Sequence, residues 1–299
     1  MNKILGALGG NRAADAFRKT VSGDPSGAPE WSKQMAIGHD IGFFGPGSAV
    51  WQVHGCIATL VGGIRALLMQ AAHPAALTGV AEHSAYDTDP LGRLERTTRW
   101  LTITSFGSTE AIEIEARRVR ELHKRVTGNY QGKSGEQSPY SASDPRYLLW
   151  VHCAFTDSFL RAHEELGYEL PQGADQYVRE WAKSAQPLGL EKAPLSRNEL
   201  SAIMETFARN EVATIAMTPP IVGFILTPPF GRGGLFFYRI LANAAIATID
   251  EPFLSVLGLK PKSKNWLRIS KFLLDFLSYM LGHESPSQKI ARKRIEALK

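Results

Sequence analysis

The chain of 299 residues is long enough to bury roughly three-quarters of the surface that its unfolded state exposes, which leaves room for an internal cavity. Its 44% apolar and 21% charged residues are typical of a globular protein and argue against a disordered or fibrous chain. The net charge of +5 comes from basic residues on helices that also carry acids, so no nucleic-acid partner is expected. The basic residues at 289–299 are interpreted as the solvated end of a helix. Cys56 and Cys153 lie in apolar runs, give no disulfide framework and favour a reducing compartment.

Helical patterns follow one another along the chain, which predicts an all-α, single-domain, multi-helix fold. Pro90 and Pro145 suit the first position of a helix, and Gly128 suits the position after one. The proline-rich passage at 218–234 is expected to lack a regular helix. In chain order the helices are expected at 49–72, 90–105, 108–128, 145–167, 172–187, 196–216, 234–249 and 265–282.

Three regions are expected along this fold: an N-terminal arm at 1–37, a helical domain at 38–255, and a C-terminal helical extension at 256–299 packed on the same domain. The most apolar stretch, at 56–72, contains two glycines and Arg65, which suits a buried core helix better than a membrane span. The N-terminal apolar run is too short for a signal sequence, so a cytoplasmic location and no stable membrane span are expected.

Common cofactor and hydrolase motifs are missing from the sequence. The segment GNYQGKSG resembles a phosphate-binding loop, but only three residues separate Gly128 from Gly132 where four are needed. No dinucleotide fingerprint, HExxH zinc motif or G-x-S-x-G nucleophile elbow occurs. The sequence also has no Glu-x-x-His pair, which argues against a ferritin-type di-iron bundle.

Two of the predicted helices carry a histidine on the face that should be buried. His123 continues the stripe formed by Ile112, Ala116 and Val119, and His152 occupies the same kind of position on the following helix. A buried imidazole needs a partner, because an unpaired polar group costs on the order of 1–3 kcal/mol. The two histidines are therefore either independent, hydrogen-bonded core residues or parts of one internal polar site.

The second predicted helix has a polar face. Arg93, Arg96 and Thr97 share it, because they lie three and four residues apart. If these arginines face inward, they need an anion as a partner. If they lie at the surface, they would pair with the acids at 87, 89 and 95, and the sequence pattern alone favours this surface position. Glu82 and two histidines precede this helix, and histidines at such turns are often caps or surface groups.

Taken in order, these segments resemble the catalytic domain of bacterial rubber oxygenases (latex-clearing proteins) and MpaB-type oxygenases. The resemblance covers about residues 38–255 and is most specific in the combination of DPLGRLERT with DPRYLLWVH. It implies an all-α fold that encloses a pocket for b-type haem, held by one proximal histidine. The other matching pieces are FGPGSAVWQVHG, GGIRALLMQAAHP, GVAEHS and RELHKRVTG.

The resemblance also implies roles for single residues. His123 matches the proximal iron ligand, and Arg93 and Thr97 match the arginine and threonine near the haem. Arg96 stands where the rubber-cleaving branch has a distal lysine, which argues against rubber cleavage because an arginine does not lose its proton. Glu82 is an approximate match to the family's distal carboxylate and would line the distal pocket together with Arg96 and Thr97. His152 would lie near the haem as a distal or supporting group.

The function implied is a haem-b-dependent oxidoreductase of the oxygenase type. It would act with O2 or a peroxide on a hydrophobic small molecule, such as an isoprenoid or another alkene. Two alternatives stay open: a non-catalytic haem sensor or carrier with His152 as an internal sixth ligand, and a cofactor-free helical interaction protein with core histidines. The sequence shows no twin-arginine leader, which favours an intracellular substrate, and no sustained heptads that would indicate a coiled-coil dimer.

Overall fold

The computed structural model describes residue 24, residues 28–83 and residues 90–298, except for the side chains of 90–94. The first half contains α1 (Ala49–Gly55), α2 (Thr59–Ala71), α3 (Pro74–His83), α4 (Pro90–Phe106), α5 (Thr109–His123), β1 (Thr127–Gln131), β2 (Gln137–Ser141) and α6 (Pro145–Glu165). The second half contains α7 (Ala174–Trp181), α8 (Arg197–Asn210), α9 (Thr218–Leu226), α10 (Arg232–Ile246), α11 (Glu251–Leu257), α12 (Asn265–Leu281) and α13 (Pro286–Glu296). Short 3-10 turns cover Glu30–Ala36, Ala182–Ser184 and Gln186–Leu188. The predicted all-α class is confirmed, since the described chain is helical apart from one two-stranded sheet.

The centre of the core is the packing of α2 against α6. Gly62 allows this close approach, because a Cβ there would lie 2.7 Å from the ring and 3.2 Å from the Cα atom of Phe159. The two helices are also joined by Arg65, which is fully buried. Its guanidinium lies 2.7 Å from Asp157 Oδ2 and donates to Ser158 Oγ at 2.8 Å. Helices α9, α10 and α11 pack against other sides of α2.

The predicted single helix at 49–72 is wrong, because the chain bends by 91° between α1 and α2. At the bend Gly55 lies against Gln288 of α13, whose side chain occupies the space that a Cβ would need. The residue after Gly55 is already extended, with φ −76° and ψ 143°. Among the described residues no single helix is long and apolar enough to cross a membrane, and α1 with α2 meets that test only as a bent pair.

Three further predictions differ from the structure. The segment before Pro90 contains a helix, α3, where only turns were expected. The first part of the proline-rich passage forms α9, because Pro219 and Pro220 fall in its first turn, where a helix needs no backbone N–H. Helix α5 ends at His123 rather than at Gly128, which lies instead in strand β1. A Cβ at Gly128 would meet Glu82 Oε2 at 2.9 Å and the Tyr140 ring at 3.0 Å, so tight packing explains this glycine.

The C-terminal helix α13 packs against the 3-10 turn at Glu30–Ala36 and against α4. Arg294 is buried there and donates to the carbonyl oxygens of Met35 and Phe106. Arg292 forms an ion pair with Glu284. The basic end of the chain therefore differs from the expected solvated helix, since part of its charge holds α13 in place.

Candidate functional site

His152 lies on α6 with its Nε2 atom buried and without a hydrogen-bond partner among the described residues. Burial lowers the pKa of this imidazole to about 4, so the ring is neutral near pH 7. One and two turns further along the same side of α6, Phe155 and Phe159 are buried, with ring centroids 6.2 Å apart. A neutral imidazole nitrogen in such an apolar place can take part in a hydrogen bond or bind a metal.

His123 is the last residue of α5 and is half-buried. The stripe that predicted its position is confirmed as far as Ile112, Ala116 and Val119, which are all buried. Burial lowers the pKa of His123, and the charge of Arg118 lowers it further. Both effects favour the neutral ring, which is the form that binds a metal, through a nitrogen lone pair.

Helix α4 carries the predicted arginines and threonine. Thr97 is half-buried and Arg96 is exposed, while the side chain of Arg93 lies outside the described residues. A buried carboxylate, Glu115 of α5, joins this helix to the one that ends at His123. Glu115 accepts from Arg99 Nε of α4 at 2.9 Å and from Arg118 Nε at 3.0 Å.

Glu82 lies near the end of α3 and is about half exposed, with its Oε2 atom 4.0 Å from His83 Nε2. His83 Nε2 also donates to the carbonyl oxygen of Thr127 at 3.0 Å, which ties α3 to the strand that follows α5. Burial, together with the charge of Glu82, raises the pKa of Tyr140 to about 12. The structure therefore brings Glu82 to the hairpin that begins four residues after His123.

His54 of α1 was missed by the sequence analysis and is part of a continuous hydrogen-bond chain. The Ser105 hydroxyl donates to the Leu101 carbonyl at 2.7 Å, so His54 Nδ1 donates to Ser105 Oγ at 2.8 Å. His54 Nε2 then accepts from the Tyr177 hydroxyl at 2.9 Å. Burial and the nearby His163 lower the pKa of His54 to about 3, which keeps it neutral.

His73 caps α3, as its place at a turn suggested, but it is buried rather than at the surface. Its Nδ1 atom accepts from Ala75 N at 3.2 Å, so Nε2 carries the proton and donates to Glu211 Oε2 at 3.0 Å. Arg146 Nε donates to the same oxygen at 2.8 Å. Burial raises the pKa of Glu211, but the hydrogen bonds from His73 and Arg146 outweigh it and the net shift is downward. Both ring nitrogens of His73 are thus satisfied.

A cavity of about 490 Å³ lies between the α1–α2 junction, α4 and the segment that joins α12 to α13. Its wall includes His54, Thr98, Thr102 and Leu281, and none of the predicted site residues whose side chains the structure describes. No cluster of three or more His, Cys, Asp or Glu side chains in the described part of the chain could hold a bare metal ion. Haem iron needs no such cluster, because the porphyrin supplies four of its ligands and the protein one or two.

A protein-family model described as "ER-bound oxygenase mpaB/B'/Rubber oxygenase, catalytic domain" matches residues 51–278. No curated protein and no solved structure matches the chain significantly. The matched range covers most of the chain and contains the helices that carry Glu82, Thr97, His123 and His152. The chain therefore belongs to the family of MpaB-type and rubber-oxygenase catalytic domains.

Proposed function

We propose that the protein is a haem-b-dependent oxidoreductase of the oxygenase type, with His123 as the proximal iron ligand. The observation that carries the proposal is the unpartnered Nε2 atom of His152, buried on α6 in a chain that belongs to an oxygenase family. Haem, when bound, supplies an iron centre that activates O2 or a peroxide. By analogy with the family, the substrate is a hydrophobic small molecule such as an isoprenoid or another alkene.

Two features of the described residues support this proposal. His123 and His152 both favour the neutral imidazole, which is the form in which a histidine binds iron. Phe155 and Phe159 are buried on the same side of α6 as His152, and we propose that they supply the apolar surroundings that a haem and a hydrophobic substrate need. By contrast, His54 has both ring nitrogens bonded, which is the arrangement expected of a histidine with a purely structural role.

The polar residues take supporting roles in this proposal. Arg93, which matches the family's arginine near the haem, would bind a propionate of the haem through charge-assisted hydrogen bonds. Thr97 is half-buried and would line the haem pocket, whereas Arg96 and Glu82 are exposed. We therefore propose that Arg96 and Glu82 act at the edge of the pocket, where a charge stays hydrated at little cost.

A second candidate function is a non-catalytic haem carrier or sensor. The orphaned nitrogen of His152 is the specific observation in its favour, because the same atom would serve as a strong sixth ligand. The two candidates make opposite predictions for the iron spectrum after His152 is replaced. If the protein is an oxygenase, replacing His152 should leave the iron spectrum unchanged, whereas in a carrier that held the iron through His152 the spectrum should change.

The experiment compares the ferric and ferrous spectra of the haem-loaded wild type with those of His152→Ala, using the exposed His283→Gln as a matched control. Turnover is then followed with ¹⁸O-labelled O2 and isoprenoid alkenes, and label in a cleaved or oxidised product supports the oxygenase. A spectrum that becomes five-coordinate only in His152→Ala, with no labelled product in the wild type, would overturn the catalytic proposal in favour of the carrier.

A further inference from the structure

Helix α12 exposes an unusual number of large apolar side chains. Ile269, Phe272, Phe276 and Tyr279 are 44%, 76%, 59% and 66% exposed, and their spacing of three, four and three residues places them on one side of the helix. We name these four residues the α12 face. Five of the twelve large apolar side chains that are exposed in the described part of the chain lie on this helix, the fifth being Met280. Such clustering marks an interaction surface, whereas scattered exposed apolar residues need no explanation.

The opposite side of α12 is already used by the fold. Leu267, Ser270 and Leu274 are buried, and Ser270 Oγ donates to the carbonyl oxygen of Ile240 on α10 at 3.2 Å. The helix is thus apolar on the side that packs against the core and on the side that meets solvent. An ordinary surface helix has a polar outer side, so the α12 face differs from the pattern expected of a helix that only packs against a core.

The charges around the α12 face are mostly positive. Lys260, Lys262 and Arg268 are exposed at its N-terminal end, and none forms an ion pair with another described residue. The helix has one acidic residue, Asp275, which already pairs with Lys271 at 2.8 Å. An incoming surface therefore meets aromatic rings beside cations whose charge is not neutralised.

We propose that the α12 face binds the surface of an anionic lipid bilayer. Aromatic and aliphatic side chains on one side of a helix enter the headgroup region, and flanking lysines and arginines are attracted to anionic lipids. The binding is peripheral, in keeping with the finding that no single described helix could cross a membrane. A second copy of the chain is the other occupant that an apolar helix face could bind, and the test below distinguishes it from a bilayer.

The test measures co-sedimentation of the full-length protein with vesicles of phosphatidylcholine alone and vesicles that also contain phosphatidylserine. Phe272→Ser with Phe276→Ser removes the two most exposed rings of the face, and Ile41→Ser with Leu195→Ser is the matched control at exposed sites elsewhere. The wild type and the control should bind the anionic vesicles, and the double variant should bind at least about tenfold more weakly. Circular dichroism checks that both double variants keep the fold, which is expected because all four side chains are exposed.

The charge contribution is tested with Lys262→Gln and Arg268→Gln together. This variant should lose binding to the anionic vesicles, and added salt should weaken the wild type in the same way. Equal binding by the wild type and the Phe272→Ser, Phe276→Ser variant would overturn the proposal, as would equal binding to both kinds of vesicle. The proposal would also be overturned if the wild type did not bind vesicles but formed a dimer that the Phe272→Ser, Phe276→Ser variant could not form. That result would assign the α12 face to a second copy of the chain.

Discussion

Replacing Glu115 by alanine should destabilise the protein through the contact between α4 and α5. The Glu115 carboxylate is completely buried, and two arginines hold it, one from each helix. Truncating one member of a buried ion pair typically costs about 3–5 kcal/mol, because the remaining charge keeps its desolvation penalty. Here the side chains of Arg99 and Arg118 are 25% and 32% exposed, so both can turn toward water. We therefore expect a loss of about 2–3 kcal/mol in the free energy of unfolding.

Urea unfolding followed by circular dichroism measures this loss, and Glu121→Ala is the matched control on the same helix. The side chain of Glu121 is 52% exposed and, among the described residues, pairs with Lys124, so its removal should change the free energy of unfolding far less than Glu115→Ala does. Because Glu115 fixes the helix that ends at His123, Glu115→Ala should also weaken haem binding. A destabilisation no larger than that of Glu121→Ala would refute the reasoning that this ion cluster holds the two helices together.

Two further predictions concern packing and pH. Gly62→Ala should lower the free energy of unfolding by about 1–3 kcal/mol, because the added methyl group would lie 2.7 Å from a ring of α6. A Cβ at Gly63 would meet no atom within 4 Å, so Gly63→Ala should stabilise the protein by about 0.5–1 kcal/mol. Thermal unfolding measures both effects, and equal effects would contradict the packing argument. As the pH falls from about 6.5 toward 4, the unfolded chain takes up protons that the buried His54 and His152 do not, so stability should fall by up to about 1.4 kcal/mol per pH unit for each histidine. His54→Gln should flatten this acid dependence and the exposed His283→Gln should not, and an unchanged slope in His54→Gln would count against its neutral, buried state.

The starts of helices were predictable from the sequence because their causes are local. Ser108 accepts from the backbone N–H of Ala111, and Asp144 accepts from that of Arg146, within three residues in each case. The bend between α1 and α2 was not predictable, since the residue packed against Gly55 is Gln288, more than two hundred positions away. Tertiary packing there overrides a continuous apolar pattern.

For the candidate site, periodicity predicted that the helix faces carrying His123 and His152 are buried. The structure confirms this as far as Val119 on α5, and on α6 for Phe155 and Phe159, which lie on the same face as His152. Glu115 was missed although a signal existed: it lies three residues after Ile112 and so falls on the buried side of the same stripe. The hydrogen-bond chain of His54 left no comparable signal, because its partners lie on α4 and α7. The roles of Glu82, Arg93, Arg96, Thr97, His123 and His152 toward haem stay predictions.

The central claim is that the protein binds haem through His123, and titration of the purified protein with haem, followed by absorption spectroscopy, tests it most directly. The account predicts a stoichiometric Soret band in the wild type, its loss in a folded His123→Ala variant, and its retention in His283→Gln. No Soret band in the folded wild type, or an undiminished band in His123→Ala, would contradict it.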